Sequence, residues 1–410
     1  MELRIALNPA DLDRFRAHSI LKTFRNGRPR NSVEQGDTPH SFRLTRSVYA
    51  LGGGAWSAGM VIRHGLMAGI PVCFADFRLL SGPPAPLCAL LMALADAVPF
   101  EVGGGDPTLP PAPIKAKPPP LLDSMGCGEG FALIADSAIA HLAANHDCLM
   151  RTGEAEAIHQ MRVALRRLRS AMSMFREILD DPESVDLRPE LQWLQRTLGA
   201  ARDWDVLLAE TVVPLQELFG GTAGYEKLCL AIADRRQRAR ASALADLATP
   251  RMTRLMLRLA FWCDAVGRSH PQADRPVGEL ARAILDKRHR KIKKQMDHFG
   301  ELSIDGRHQC RIDIKKLRYA VDFFAGLFPA KRGQRLLPLL AALQDRLGAL
   351  NDIAVARSTI EALVLEEGAA DMAWAAGQLM GWHAGRSSGL LAQIVKDWDA
   401  VERLPAFWRD

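Results

Sequence analysis

A chain of 410 residues with 48% hydrophobic and 24% charged side chains can bury sizeable cores, which argues against a disordered or fibrous protein. The formal net charge of +6 is modest, so any anionic partner must be sought in how the cations cluster. Seven scattered cysteines without a Cys-x-x-Cys pair argue against a disulfide framework and a zinc site, and no stretch approaches a membrane span.

Met1–Leu7 alternates weakly and predicts a short strand, and Pro9–His18 predicts a helix. This start lacks the apolar run of a secretory leader, so the expected compartment is the cytoplasm. Residues 22–90 show neither helical nor strand periodicity and carry Gly52-Gly53-Gly54 among scattered arginines, so a poorly ordered or merely structural segment is expected. Pro84–Val98 again predicts a helix, with Leu87, Leu90, Leu91 and Leu94 on one side. Residues 105–120, with Pro107, Pro110, Pro111, Pro113 and Pro118–Pro120, predict an extended, semi-rigid linker.

Beyond the linker the patterning is helical. Helices are expected over Ala132–Leu149, Glu154–Leu179, Leu191–Leu198 with Gly199 as its stop, Trp204–Leu218, Tyr225–Leu247 and from Pro250. In the second half they are expected over Val277–His298, Arg307–Phe328, Arg335–Leu347, Ile353–Leu365, Met372–Ala384 and Leu391–Val401. The domains read as 1–104, a linker 105–120, and 121–410 divided near residue 270.

That division rests on a repeat. His159-Gln-Met-Arg162-Val-Ala-Leu-Arg166-Arg167-Leu-Arg169 returns 149 positions later as His308-Gln-Cys-Arg311-Ile-Asp-Ile-Lys315-Lys316-Leu-Arg318. Leu194-Gln195-Arg-Thr-Leu198-Gly199-Ala-Ala-Arg202-Asp203 returns at the same offset as Leu343-Gln344-Asp-Arg-Leu347-Gly348-Ala-Leu-Asn351-Asp352. On a helical wheel Arg166, Arg162 and Arg169 fall at about −20°, −60° and −80° from His159, with Leu165, Leu168 and Met172 opposite. His308, Lys315, Arg311 and Arg318 repeat that arc, opposite Cys310, Ile314 and Leu317. A single such stripe is ordinary solvated surface. A like-charge stripe present twice costs stability, because neighbours at i,i+4 repel, and an anion would offset that cost.

These motifs, with Leu198-Gly-Ala-Ala-Arg-Asp-Trp-Asp-Val206, Pro250-Arg-Met-Thr-Arg-Leu and Pro405-Ala-Phe-Trp408, resemble the CHAD family, the conserved histidine α-helical domain. The resemblance spans about residues 125–408. It implies a mainly α, pseudo-twofold pair of helical bundles that binds inorganic polyphosphate. Glu2-Leu-Arg-Ile-Ala-Leu and the helix from Ala85 resemble the ends of a CYTH domain, the triphosphate tunnel fold. That family opens Glu-x-Glu-x-Lys, of which only Glu2 and Arg4 match, so a small, degenerate α+β region without turnover is expected. Mg²⁺ or Mn²⁺ would be needed only if that region were active.

The residues expected to contact polyphosphate are His159, Arg162, Arg166, Arg167, Arg169, His308, Arg311, Lys315, Lys316 and Arg318; no catalytic or metal-ligating residue is assigned. Asp203 and Asp352 read first as salt bridges or caps. Nucleic acid is the main rival ligand, disfavoured because neither arc carries an aromatic for base stacking. A triphosphatase and a scaffold for other proteins at polyphosphate granules are the further alternatives; no membrane partner is expected.

Overall fold

The computed structural model describes residues 1–36, 41–103, 111–266, 270–328 and 330–409. Strand β1 (Glu2–Leu7) leads through a 3-10 turn into helices α1 (Leu12–Ala17) and α2 (Ser19–Phe24). A meander follows: β2 (Arg25–Gly36), β3 (Phe42–Gly53), β4 (Trp56–Met67) and β5 (Ile70–Ser81). After helix α3 (Ala85–Ala97), β6 (Phe100–Val102) completes a sheet of order β2-β3-β4-β5-β1-β6, antiparallel throughout.

Residues 22–90, which showed no period, therefore supply most of an antiparallel sheet, in keeping with the CYTH resemblance. The period is hidden because both faces are partly apolar. Cys73, Ala75 and Phe77 of β5 join the main core, while Val72 and Phe74 bury with Leu44 on the opposite face. Alternation then collapses into an apolar run. The β4–β5 hairpin turns through Ala68-Gly69 with φ of 49° and 78°. Positive φ at both central positions is what a two-residue hairpin needs, and alanine at the first of them gives no turn signal.

The sheet's outer face carries its acids already paired. Arg78 meets Glu2 at 3.2 Å, Arg4 meets Asp76 at 2.7 Å, and Arg63 bridges Glu34 at 2.9 Å and Asp76 at 2.6 Å. On the other face the sheet and α3 pack against the helices, where Thr253 donates to the Phe100 carbonyl at 3.0 Å. Buried side chains from Ile5 to Trp408 form one continuous core.

Residues 111–120 form no helix or strand; Pro107 and Pro110 of the expected linker lie outside the described residues. The segment is tied down. Asn145 binds both the amide and the carbonyl of Ile114 at 3.1 Å, His141 Nε2 meets the same carbonyl at 2.9 Å, and Ser137 donates to the Lys117 carbonyl at 3.4 Å.

The helices are α4 (Cys127–Thr152), α5 (Ala155–Met174), α6 (Pro182–Val206), a short α7 (Gln216–Phe219), α8 (Ala223–Leu247) and α9 (Pro250–Val266), then α10 (Val277–Met296), α11 (Ile304–Phe324), α12 (Ala330–Glu367) and α13 (Ala370–Glu402). The motif helices α5 and α11 begin 149 positions apart, as the motifs do. Three expected stops are absent. Gly199 lies inside α6, the break expected between Leu347 and Ile353 lies inside α12, and that between Ala384 and Leu391 lies inside α13. Packing overrides the weak helix propensity of glycine there, about 1 kcal/mol below alanine. The copies differ after the second motif: α6 loosens into a π-helical turn at Leu207–Val212, whereas α12 runs straight through. A smaller core of Leu207, Tyr225, Leu228 and Ile232 with Ile360, Leu363 and Leu379 joins the two halves there.

Candidate functional site

Helices α5 and α11 turn their apolar faces inward as the wheel requires: Leu165, Leu168, Cys310, Ile314 and Leu317 are all buried. Their cationic arcs converge. The ammonium of Lys315 on α11 is half-buried, and burial together with repulsion from Arg166, Arg311, Arg162 and Lys316 brings it down to about 8. Two of those four cations belong to α5, so the arcs of the two repeats share one field.

Each arc meets the second motif of its own repeat. Arg162 Nη2 stands 3.6 Å from Asp203 Oδ1, and Arg311 Nη2 stands 3.8 Å from Asp352 Oδ1. The stripes are thus flanked by acids from α6 and α12. Burial raises the Asp203 carboxyl, Arg162 opposes this, and Asp352 adds to it, so the two carboxylates also sense one another across the pseudo-twofold. Burial lowers the Arg162 guanidinium, with Arg166 and Arg202 pushing the same way against Asp203. The glycine of the second motif explains itself here in the first repeat: a Cβ on Gly199 would stand 2.8 Å from Arg162 Nη1. Gly199 clears a path for the arginine rather than ending a helix.

The histidines differ. Burial lowers the His159 imidazole, and Arg202, Arg166 and Arg162 lower it further against Glu156, so it is neutral at neutral pH. His308 is exposed and donates from Nδ1 to Asn351 Oδ1 at 2.7 Å. Arg202 and Asn351 hold the same place in the second motif and were not singled out from sequence; their position before the repeated aspartate was the available signal.

Several cations remain unmatched. The Nε donors of Arg166 and Arg311 are buried without a hydrogen-bond partner among the described residues. Among the described residues, Arg166, Arg169, Lys315 and Arg318 make no ion pair with a carboxylate. Buried donors normally find acceptors, so these hold an unmet demand for anionic oxygen.

Arg167 and Lys316 leave the centre of the arcs in different directions. Arg167 is buried, pairs with Asp322 of α11, lies 4.8 Å over the Phe323 ring and donates to the Lys117 carbonyl at 3.3 Å. It lies about 80° from His159 on the wheel, which turns it into the junction between the repeats and away from the arc of Arg162, Arg166 and Arg169. Its counterpart Lys316 is exposed and stands 3.9 Å from Asp313 Oδ1, at the edge of the arc toward α10. Among the described residues no three His, Cys, Asp or Glu side chains are grouped to hold a metal ion, and no helix is long and apolar enough to cross a membrane.

Residues 133–361 match the family model described as the CHAD domain. Among solved structures the chain is similar to the CHAD domain from the plant Ricinus communis, at 30% identity over 72% of this chain and 98% of that one, with a TM-score of 0.63. It is also similar to PptA from Streptomyces chartreusis, at 19% identity over 67% of this chain and 100% of that one, with a TM-score of 0.54; that likeness concerns the fold alone. No curated protein matches the chain.

Proposed function

The chain belongs to the CHAD family, and from that premise we propose that it binds inorganic polyphosphate along the joined arcs of α5 and α11. The observation that carries this reading is the unmatched buried guanidinium donors of Arg166 and Arg311 beside a lysine depressed by burial and then by its cationic neighbours. A linear polyanion supplies closely spaced oxygens to such a track. His159, Arg162, Arg166 and Arg169 face it from one repeat, and His308, Arg311, Lys315 and Arg318 from the other. Asp203 and Asp352 hold Arg162 and Arg311 in place and keep weakly charged ligands off. Arg167 acts only as a brace.

Bare phosphate is favoured over nucleic acid because α11 buries its aromatics, Tyr319, Phe323 and Phe324, and α5 has none, so neither helix offers a stacking surface. The sheet has no catalytic part in this reading, since Glu2, Glu34 and Asp76 are each committed to arginine. Residence in the cytoplasm at polyphosphate granules, with other granule proteins, belongs to the same proposal.

Titration calorimetry with long-chain polyphosphate, using single-stranded DNA as competitor, tests it. Replacing Arg162, Arg166 and Arg169 by alanine, or Arg311, Lys315 and Arg318, should weaken binding by several kcal/mol at about 1.5–3 kcal/mol per charged hydrogen bond. Affinity should fall steeply with salt. Both variants binding as tightly as the wild type, with helicity intact by circular dichroism, would overturn the reading.

A further inference from the structure

The two repeats also differ behind their motif helices. Matching the buried positions Phe131, Ala135 and Leu142 of α4 to Ala281, Leu285 and Ile292 of α10 sets Ser137 and His141 over Lys287 and Lys291. In the first repeat Ser137, His141 and Asn145 form a seat that grips the oxygens of an extended chain, the Ile114 and Lys117 carbonyls. The same face of α10 lies open, and its chemistry has changed. Ala132, Ala140 and Ala144 give way to Arg282, Arg290 and Lys294, so Arg282, Lys287, Arg290, Lys291 and Lys294 line a shallow hollow of about 700 Å³.

This face is poorly neutralised. Asp286, the acid lining it, already accepts from Trp408 at 2.7 Å and Arg409 at 2.8 Å. Lys287, Arg290 and Lys294 make no ion pair with a carboxylate among the described residues. Lys287 with Lys291, and Arg290 with Lys294, repel at i,i+4, a cost that a bound anion would offset. The hollow also adjoins the track. Lys291 Nζ stands 2.8 Å from Asp313 Oδ2, the carboxylate whose other oxygen lies 3.9 Å from Lys316 Nζ, and Arg288 donates to the Lys316 carbonyl.

We propose that α10 is a second binding segment for the same polyanion: a chain long enough to leave the α5–α11 track passes over Lys316 and Lys291 and lies along Lys287, Arg290 and Lys294. This rests on the track reading. It adds a selection for chain length, because a short polyphosphate occupies the track alone whereas a long one gains both segments.

The test compares tripolyphosphate with long-chain polyphosphate on the full chain, by calorimetry, for a Lys287→Gln/Arg290→Gln/Lys294→Gln variant. A charge-matched control replaces the exposed Arg28, Arg30 and Arg43 of the sheet by glutamine. All six positions are exposed, and glutamine suits the helix at the three α10 positions, so circular dichroism should be unchanged. The α10 variant should lose about tenfold or more in long-chain affinity, the scale of one charged contact, with tripolyphosphate binding unaltered. Equal losses for both ligands, or a long-chain loss no larger than the control's, would overturn the α10 segment while leaving the track in place. Loss of all binding only in the Arg162/Arg166/Arg169 variant, with the α10 variant indistinguishable from wild type, would do the same.

Discussion

In the first repeat the residue beside the motif histidine is Arg202, and in the second it is Asn351. The first arc is built from arginines, which stay charged at any working pH, around an imidazole held neutral. The second mixes Arg311 and Arg318 with an exposed His308 and with Lys315, whose ammonium burial and its cationic neighbours bring down to about 8. The two arcs thus differ in how firmly their charge is fixed, and they meet at Lys315. Behind them the same division holds, with a covered α4 facing the sheet side and an open, basic α10.

The sharpest break in the pseudo-symmetry is Arg167 against Lys316, which share a place in the repeat. Arg167 has a 6% exposed side chain inside an ion pair that spans the halves, whereas Lys316 is 46% exposed. Removing one partner of a buried pair strands the other charge. Arg167→Ala should therefore cost about 3–5 kcal/mol of stability, and Lys316→Ala no more than about 0.5 kcal/mol. Chemical denaturation followed by circular dichroism measures both. Equal midpoints would mean that the brace is symmetric after all.

The adjustable arc should announce itself in pH. Lys315 is held down to about 8 in the free protein, and a bound polyanion favours its charged form, so binding takes up a proton. Affinity for long-chain polyphosphate should decline as pH rises through about 8, by up to about tenfold if one charged contact is lost. Lys315→Arg should flatten that profile, because the guanidinium does not titrate there. The sign for folding is opposite: a folded-state value below the unfolded one penalises the charged form, so Lys315 weighs against stability below about 8 and this is relieved as pH rises toward its unfolded value. A flat wild-type binding profile across this range, or one that Lys315→Arg leaves unchanged, would remove Lys315 from the site.

The helical half was legible because each long helix has one buried face: the arc opposite His308, with Cys310, Ile314 and Leu317, buries as the wheel requires. The sheet was not, because β5 buries side chains on both faces and β2 is an exposed edge, so neither alternates cleanly. At the site, reading Arg166-Arg167 and Lys315-Lys316 each as one basic patch hid that neighbours in a helix point about 100° apart, so that Arg167 turns into its ion pair with Asp322 while Arg166 does not. The sequence reads Asp203 and Asp352 as salt-bridge residues without their partners, since an ion pair between Arg162 and Asp203 depends on tertiary packing that no local spacing records.

Gly199 and Gly348 sharpen the comparison at its finest grain. Gly199 was read as a helix stop and Gly348 follows the end expected at Leu347, yet both are interior, so alanine should add about 1 kcal/mol of helix propensity at each. At Gly348 the added methyl meets nothing nearer than Asp352 Oδ2 at 3.9 Å and Arg311 Nη2 at 4.0 Å, ordinary contact distances. Gly348→Ala should then raise stability and leave polyphosphate affinity unchanged. At Gly199 the methyl would stand 2.8 Å from Arg162 Nη1, too close to coexist. The arginine tip is free to swing away, so folding gains much the same propensity, but the guanidinium leaves both Asp203 and the track. Gly199→Ala should therefore match Gly348→Ala in denaturation midpoint and fall behind it in binding, by about the 1.5–3 kcal/mol of one charged hydrogen bond. Measured together, the pair separates the two jobs of the glycine: equal affinities would mean that Arg162 binds as well from its displaced rotamer, and that Gly199 serves only the packing of α5 on α6.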